Sequence, residues 1–515
     1  MTQHTTPPET TVVTPQHLSP RVLAIHPLRS LRAFAIPLLG VLLVGRFSAN
    51  SFVYAAIGAA VAVLVPLFRW MTFTYSVRDG RLQITQGLFA RSTRTIPLDR
   101  IRGVDVSAPL LHRLLGLAVV NVEAAAGGET KEEGTLDAVT VAEADRLRKL
   151  LLHRREAAVP ADAGAEPTIE PVYARLRRRW CLYAPLTATY LLAPLALLAS
   201  LIGFAAELFS QTESVSQEQV RRVVEEVLAA PHLLVPIVVA LVLAVPALSV
   251  LAFAVVNWDF TLRGRDGSLV TQRGLVTRRS VFLERRRIRG WELIEGPLER
   301  AARVARLRAI VTGLGNEATR AQLLPLAPRG EVMETAARAV GPLEAPLAAH
   351  PAAARTRRLV RACLPWLVAA GVAAALRLWV PAIALGVLAL LGVPLGLDRY
   401  RSLGHADDGA RVAVRSGSLR RRQAVIDHRA VVGWTIKQTW LQRRVRLATL
   451  VVGVGAGRGG YSAIDMGETQ AARFACEVSP QWLRPLLVRD ADGQKGRGGQ
   501  VSFFLFWFQA RMRAG

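Results

Sequence analysis

A segment bounded by two glycines sixteen residues apart occurs three times in this chain, and that recurrence restricts the fold more than any single motif. The copies run Gly87–Gly103 (GLFARSTRTIPLDRIRG), Gly274–Gly290 (GLVTRRSVFLERRRIRG) and Gly417–Gly433 (GSLRRRQAVIDHRAVVG), with no insertion in any of them. Each follows a pair of hydrophobic stretches. A fixed period of this kind marks one supersecondary unit used repeatedly, so the chain reads as three copies of a membrane-attached module.

Counting onward from the second glycine extends the repeat. Leu111, Leu298 and Leu441 lie eight residues on, Arg113, Arg300 and Arg443 ten on, and Ala118, Ala305 and Ala448 fifteen on. Within each unit the apolar period is that of strands. An Asp-Gly pair (Asp79-Gly80, Asp266-Gly267, Asp408-Gly409) divides two strand-like runs, a strong hairpin signal. Helix-compatible sequence then closes each unit at Val141–Arg155, Gly330–Val340 and Glu468–Val478. Strands followed by one helix predict a small β-barrel or bent sheet capped by a C-terminal helix.

The 515 residues carry a formal net charge of +26, yet the mean hydropathy is +0.28. A soluble globule cannot easily satisfy both. They are compatible if the apolar residues occupy bilayer spans and the arginines cytoplasmic segments, and the basic excess then needs no nucleic acid. Cys181, Cys363 and Cys476 are far apart, with no CxxC pair or neighbouring histidine cluster, which argues against a zinc site or a disulfide framework. No metal or cofactor is expected.

Three hydrophobic hairpins are predicted: Leu31–Val44 with Phe52–Phe68, Leu182–Phe209 with Leu233–Val256, and Cys363–Ala375 with Val380–Leu397. A span needs about 20 residues, so the second pair is comfortable and the others are short. Two crossings per hairpin return every basic segment to one side. The opposite connections hold only Arg46, Arg221, Arg222 and Arg377 as basic residues, so the positive-inside rule places both termini and all three modules in the cytoplasm, and the chain in the cytoplasmic membrane. The resulting division is a disordered tail over 1–25, hairpin 26–70, module 71–160, hairpin 181–257, module 258–347, hairpin 363–397, module 398–489 and a C-terminal tail over 490–515. The aromatic run Phe503–Phe508 in that last tail suits either the membrane interface or packing on the protein.

The hairpin, the strand–Asp-Gly–strand, the run Gly-Leu-x-x-Arg…Ile-x-x-x-x-Ile and the Leu-x-Arg…Leu-Ala element together resemble bacterial pleckstrin-homology (PH) membrane proteins of the YdbS/YdbT type, in the longer, three-repeat form. The resemblance covers nearly everything after residue 25. It implies an α+β membrane protein with six transmembrane helices and three cytoplasmic PH-like domains. It also implies a role in envelope maintenance or tolerance of membrane-active compounds, with a smaller single-module protein resembling YdbS as a candidate partner. Repeat two has Ala302-Arg-Val-Ala305 in place of Leu115-Gly-Leu-Ala118, and repeat three has Val425-Ile-Asp in place of Ile96-Pro-Leu. The copies are therefore expected to differ in function.

Gly455-Ala-Gly457-Arg-Gly-Gly460 matches a dinucleotide-binding pattern, but a strand-like stretch follows it where a helix would be needed, and Gly127-Gly128 and Gly313-Leu-Gly315 stand near the same repeat position. A shared turn explains all three. No HExxH, GxSxG or Walker A sequence occurs, and no catalysis is expected. His112 and His428 read as surface or packing histidines. Glu284, Asp427 and Asp99 read as partners in local ion pairs. The functional candidates are the basic clusters Arg278, Arg279, Arg285, Arg286, Arg287 and Arg289, and Arg420, Arg421 and Arg422. They suit anionic lipid head groups, at about 1 kcal/mol per residue, or a protein partner, or simple solvation.

Overall fold

The glycine spacing has a stereochemical origin. Gly87, Gly274 and Gly417 adopt φ of 119°, 109° and 98°, and a Cβ on Gly274 or Gly417 would fall 2.0 or 2.2 Å from the carbonyl oxygen three residues on. Only glycine makes this turn. The second glycine of each pair lies where the following strand shifts register against its neighbour: Ile101/Gly103, Ile288/Gly290 and Val431/Gly433. Such a bulge adds a residue and bends the strand. A strand and its connections fill the interval between the turn and the bulge, which holds the spacing constant.

The computed structural model describes residues 16–23, 25, 48–87, 91–98, 101–124, 134–153, 171–210, 231–265, 267–312 and 321–483. They divide into two compact units, Met1–Pro342 with Ala456–Arg458, and Leu343–Gly455 with Gly459–Gly515. The expected span Leu31–Val44, the 211–230 connection, Asp99, Arg100 and the 490–515 tail lie outside the described residues.

In the first unit, β1 (Gln16–His17) precedes helix α1 (Ala49–Thr72), and the first module follows: β2 (Thr74–Arg78), β3 (Arg81–Gln86), β4 (Ser92–Pro97), β5 (Ile101–Pro109), α2 (Leu110–Leu114), β6 (Leu117–Ala124), β7 (Gly134–Thr140) and α3 (Val141–His153). Next come β8 (Val172–Arg175), α4 (Ala188–Ser210) and α5 (Pro231–Val256). The second module is β9 (Thr261–Arg265), β10 (Ser268–Arg273), β11 (Thr277–Glu284), β12 (Ile288–Glu295), α6 (Pro297–Ala301), β13 (Val304–Val311), β14 (Gln322–Pro328) and α7 (Arg329–Ala339). The second unit opens with α8 (Ala352–Ala375) and α9 (Trp379–Arg401). The third module is β15 (Gly404–Asp407), β16 (Arg411–Ser416), β17 (Arg421–Asp427), β18 (Val431–Lys437), α10 (Trp440–Arg444), β19 (Leu447–Val454), β20 (Gly460–Gly467) and α11 (Glu468–Val478).

Each module is thus two three-stranded antiparallel meanders and a terminal helix. In the first, Tyr75, Val77, Leu82, Ile84 and Ile96 from one meander pack against Val104, Val120, Val122 and Leu136 from the other, with Ala144, Leu147 and Leu151 of α3 closing the core. At roughly 1.5–3 kcal/mol for each large aliphatic side chain buried, this sandwich is the principal stabilising term of the module. Among the described residues the strand orders are open-ended, so of the two architectures expected, open sheets with a bulged strand in each module are found and a closed barrel is not.

Sheet topology departs from three separate domains. β11 of the second module pairs antiparallel with β5 of the first, from Thr277 opposite Pro109 to Val281 opposite Asp105. The outcome is one seven-stranded sheet, β7-β6-β5-β11-β10-β9-β8, shared by two modules. β8 lies in the segment between the expected boundaries at 160 and 181, and its strand pairing adds it to the second module. The 1–25 tail is likewise corrected in part: Gln16 and His17 pair with β2, and Leu18, Val22 and Ile25 are buried in the first module because they present apolar side chains to its core.

Four described helices are long and apolar enough to cross a membrane: α1, Val238–Val256 of α5, α8 and α9. A fifth arises if the bent pair Arg178–Leu186 and Ala188–Phe204 counts as one span. That pair bends by 70°. Pro185 sits inside its first segment, so the helix proper starts at Ala188 rather than near Leu182. The third hairpin is longer than expected, because α8 begins eleven residues before Cys363, at Ala352, and carries its basic run within the helix. α9 packs closely on α8 through Gly392 and Gly396: a Cβ on Gly392 would lie 2.6 Å from the Ala362 oxygen, and one on Gly396 would lie 3.1 Å from the Leu359 Cα. Small residues four apart are the usual means of such approach in a bilayer.

Gly417→Ala should lower the stability of the third module by about 1–3 kcal/mol. Gly433→Ala, with no atom within 4 Å of its added Cβ, should change it by less than about 0.5 kcal/mol. Thermal unfolding of the purified protein followed by module-specific proteolysis reads both values.

Candidate functional site

The three modules meet their membrane hairpins in the same way. The residue fourteen beyond the second glycine is fully buried in each copy and packs at the hairpin root: Leu117 in the cluster of Val22 and Ile25 that Trp70 of α1 packs against, Val304 beside Ala184 and Phe253, and Leu447 beside Ala354 and Leu403. Five residues earlier, the short helix α2, α6 or α10 buries one polar side chain among exposed ones. These are His112, Glu299 and Gln442, at 2%, 1% and 3% exposure. They lie between the repeat leucine and the repeat arginine, nine residues past the second glycine.

Each makes a different set of bonds. His112 Nε2 lies 3.1 Å from Asp137 Oδ1 on β7. Glu299 accepts from Thr187 Oγ1 at 2.8 Å, from the Gly296 amide at 2.6 Å and from Arg306 at 3.0 Å. Thr187 immediately precedes α4, so this carboxylate ties the module to the start of a hairpin helix. Gln442 caps its own helix by accepting from the Thr439 amide at 3.0 Å, and its Nε2 donates to Asp465 Oδ1 at 2.8 Å. Asp465, fully buried at φ 61°, in turn holds Arg357 at 2.5 Å and Arg358 at 2.7 Å, both on α8. An isolated buried charge is costly, and compensation by opposite charge and hydrogen bonds is the usual solution. The second and third nodes thus tie a module to a hairpin helix, whereas His112 bonds within its own module.

A histidine pair flanks the third node. His350 Nδ1 lies 3.0 Å from the Ile464 oxygen, and its ring centroid stands 5.2 Å from that of His405, which contacts Phe474 edge-on. Burial, and then the neighbouring His405, push the His350 imidazole down to about 4. Burial also lowers His405.

The basic clusters are dispersed in their roles. Arg278 pairs with Asp259 at 3.4 Å, Arg286 with Glu284 at 3.0 Å, and Arg287 with Glu284 at 2.9 Å. Arg287 also donates to the Ile101 oxygen of the first module at 3.0 Å. Arg285 bonds the Tyr173 hydroxyl and stacks over that ring, 5.4 Å from its centre. Arg421 contacts Ser402 and Asp398. Arg289 and Arg422 are half-buried, while Arg279 and Arg420 are exposed. Asp427 pairs with Arg411 at 2.8 Å, and His428 with Asp407 at 2.6 Å. Among the repeat arginines, Arg113 donates to the Leu275 oxygen of the second module at 2.9 Å, Arg300 is half-buried, and Arg443 is exposed. The glycine-rich stretch 455–460 turns between β19 and β20, with no helix after it.

The nodes were missed in the sequence because they differ in residue type from copy to copy. Their signal was positional: three hydrogen-bonding side chains at one repeat position, flanked by an invariant leucine and arginine.

A model of the bacterial PH domain matches residues 31–155, 211–340 and 363–481, and the chain belongs to that family. It is 29% identical over 130 residues to the UPF0699 transmembrane protein YdbT of Bacillus subtilis (strain 168), a match spanning 23% of this chain and 26% of that protein. The similarity thus extends over about a quarter of either protein. No solved structure matches.

Asp465→Ala leaves two guanidinium groups without their buried carboxylate and should cost about 3–5 kcal/mol, read as a lowered unfolding midpoint and earlier proteolysis between α8 and the third module. The histidine pair adds a pH dependence. Since His350 titrates lower in the folded protein than its unfolded value of 6.5, the unfolded chain binds more protons between those values. Stability should be full above pH 6.5 and fall as the pH drops toward 4, and His350→Gln should flatten that slope. Unfolding midpoints across this range, in wild type and variant, measure it.

Proposed function

We propose that this protein is a non-catalytic integral membrane scaffold whose PH-like modules work by protein–protein assembly, in envelope maintenance or tolerance of membrane-active compounds. The observation that carries the reading is the β5–β11 pairing, which uses module edges to build a larger protein surface. The arginine-rich segments support it, since most of their guanidinium groups are spent on internal carboxylates, carbonyls and a tyrosine. The positive-inside charge distribution favours the cytoplasmic membrane, with all three modules and both termini on the cytoplasmic side. The YdbT resemblance lends the envelope role.

A second reading, anionic-lipid binding or handling, rests on the exposed side chains of the short helices. Leu298, Trp440 and Leu441 are exposed close in sequence to the nodes at the hairpin roots, with Arg443 and Arg444 alongside. A transporter is disfavoured, because acidic and basic side chains are sparse in the apolar windows of the spans, where a substrate path would need them.

Full-length protein in nanodiscs separates the two readings. Assembly predicts thermal midpoints that agree within about 2 °C between zwitterionic and anionic lipid, and co-purification of a specific protein after mild crosslinking in cells. A larger anionic stabilisation that disappears in the Arg279→Ala/Arg420→Ala variant would favour lipid recognition. Reporter fusions in the 211–230 connection should report the non-cytoplasmic side, and cytoplasmic accessibility there would overturn the orientation.

A further inference from the structure

The strand pairing that joins the first two modules leaves the matching edges at the ends of the chain without a described partner. β5 is the first strand of a second meander, and it pairs with β11, the last strand of a first meander. The same two positions in the repeat recur as β18 in the third module and β4 in the first. Among the described residues, β18 pairs only with β19, and β4 only with β3. From Thr435 to Lys437 every residue of β18 is exposed, as is every residue of β4 from Ser92 to Thr95. Ile436 is 42% exposed, whereas its counterpart Val106 in the paired strand is half-buried. Arg443 is exposed too, although its counterpart Arg113 donates across the joined edge to Leu275.

We propose that β18 of one copy pairs antiparallel with β4 of a second copy, so that the protein associates head to tail through the contact that its own first two modules already make. An open strand edge is a template for another chain, and proteins that do not use it usually blunt it. The bulge at Val431/Gly433 does not blunt β18, because β5 carries the same bulge at Ile101/Gly103 and is paired. The register follows from the repeat. Val281 opposite Asp105, Ser280 opposite Val106 and Arg279 opposite Ser107 transfer to Arg94 opposite Thr435, Thr93 opposite Ile436 and Ser92 opposite Lys437. No like charges stand directly opposed in this register, which would otherwise weaken it. The contact is heterologous, so it yields a ring or a linear array in the membrane plane rather than a two-fold dimer.

This proposal rests on the scaffold reading and names its partner as a second copy. The test uses full-length chains with Cys181, Cys363 and Cys476 replaced by alanine, coexpressed under two different tags. One chain carries Thr93→Cys and the other Ile436→Cys. Directly opposed residues on antiparallel strands have Cα atoms about 4.5–5.5 Å apart, within disulfide reach. Mild oxidation in native membranes should give a mixed-tag disulfide dimer. Thr93→Cys with Thr435→Cys, one residue out of register and on the other face, should give at least tenfold less. The single-chain pair Val106→Cys/Ser280→Cys reports the existing internal contact. If that control closes while the 93/436 pair does not, head-to-tail pairing is overturned and the shared sheet stands. Equal yield from 93/436 and 93/435 also overturns it, since chance collision has no register. Failure of the control overturns the shared-sheet geometry beneath both readings.

Discussion

The antiparallel pairing of β5 with β11 is the contact on which the architecture of the first unit depends. It converts two repeat units, each a sandwich of small open sheets, into neighbours along one seven-stranded sheet. Side chains reinforce the backbone pairing from both directions. Arg113 reaches forward to Leu275, Arg287 reaches back to Ile101, and the buried Arg148 of α3 lies 4.5 Å from the centre of the Phe282 ring. A second module cut out alone would expose β11 as a bare edge and lose Arg287's partner in the first module. Properties measured on such a fragment would be those of a damaged protein.

The hairpin roots show how one scaffold accepts divergence. An apolar residue packs at each root, while the polar node beside it changes from His112 to Glu299 to Gln442. Partners change with it. Where the node is an anion, a hydroxyl and an arginine answer it, and where it is a neutral amide, the charge moves to Asp465 and its two arginines. A buried polar group is costly without a hydrogen-bonding or ionic partner, and each node has diverged together with the partner it uses.

Much of the fold was legible in the sequence because its determinants are local. Positive-φ glycines, Asp-Gly turns and alternating strands are properties of a few adjacent residues, and they placed the strand hairpins and the closing helices. Long-range features were not legible. Nothing in the residues of β11 states that its free edge meets β5, because strand edges are recognised by backbone groups common to all residues. Gln16–Ile25 is short enough to pass for the end of a tail until Leu18, Val22 and Ile25 find the core. The third hairpin looked short because hydropathy ends at Cys363, while helix α8 continues through Arg355–Arg361 with two of those arginines answered by Asp465. The arginine clusters were recognised as sites of interest, yet their partners lie mostly within the protein.

The first two modules are one structural body held by a sheet that neither could complete alone. Native-state hydrogen exchange on the full-length protein in nanodiscs tests this most directly. The amides of β5 and β11 that face each other should be protected like those of central strands and exchange together, in one opening shared by both modules. Rapid exchange along β11, with β5 behaving as an independent edge, would contradict it.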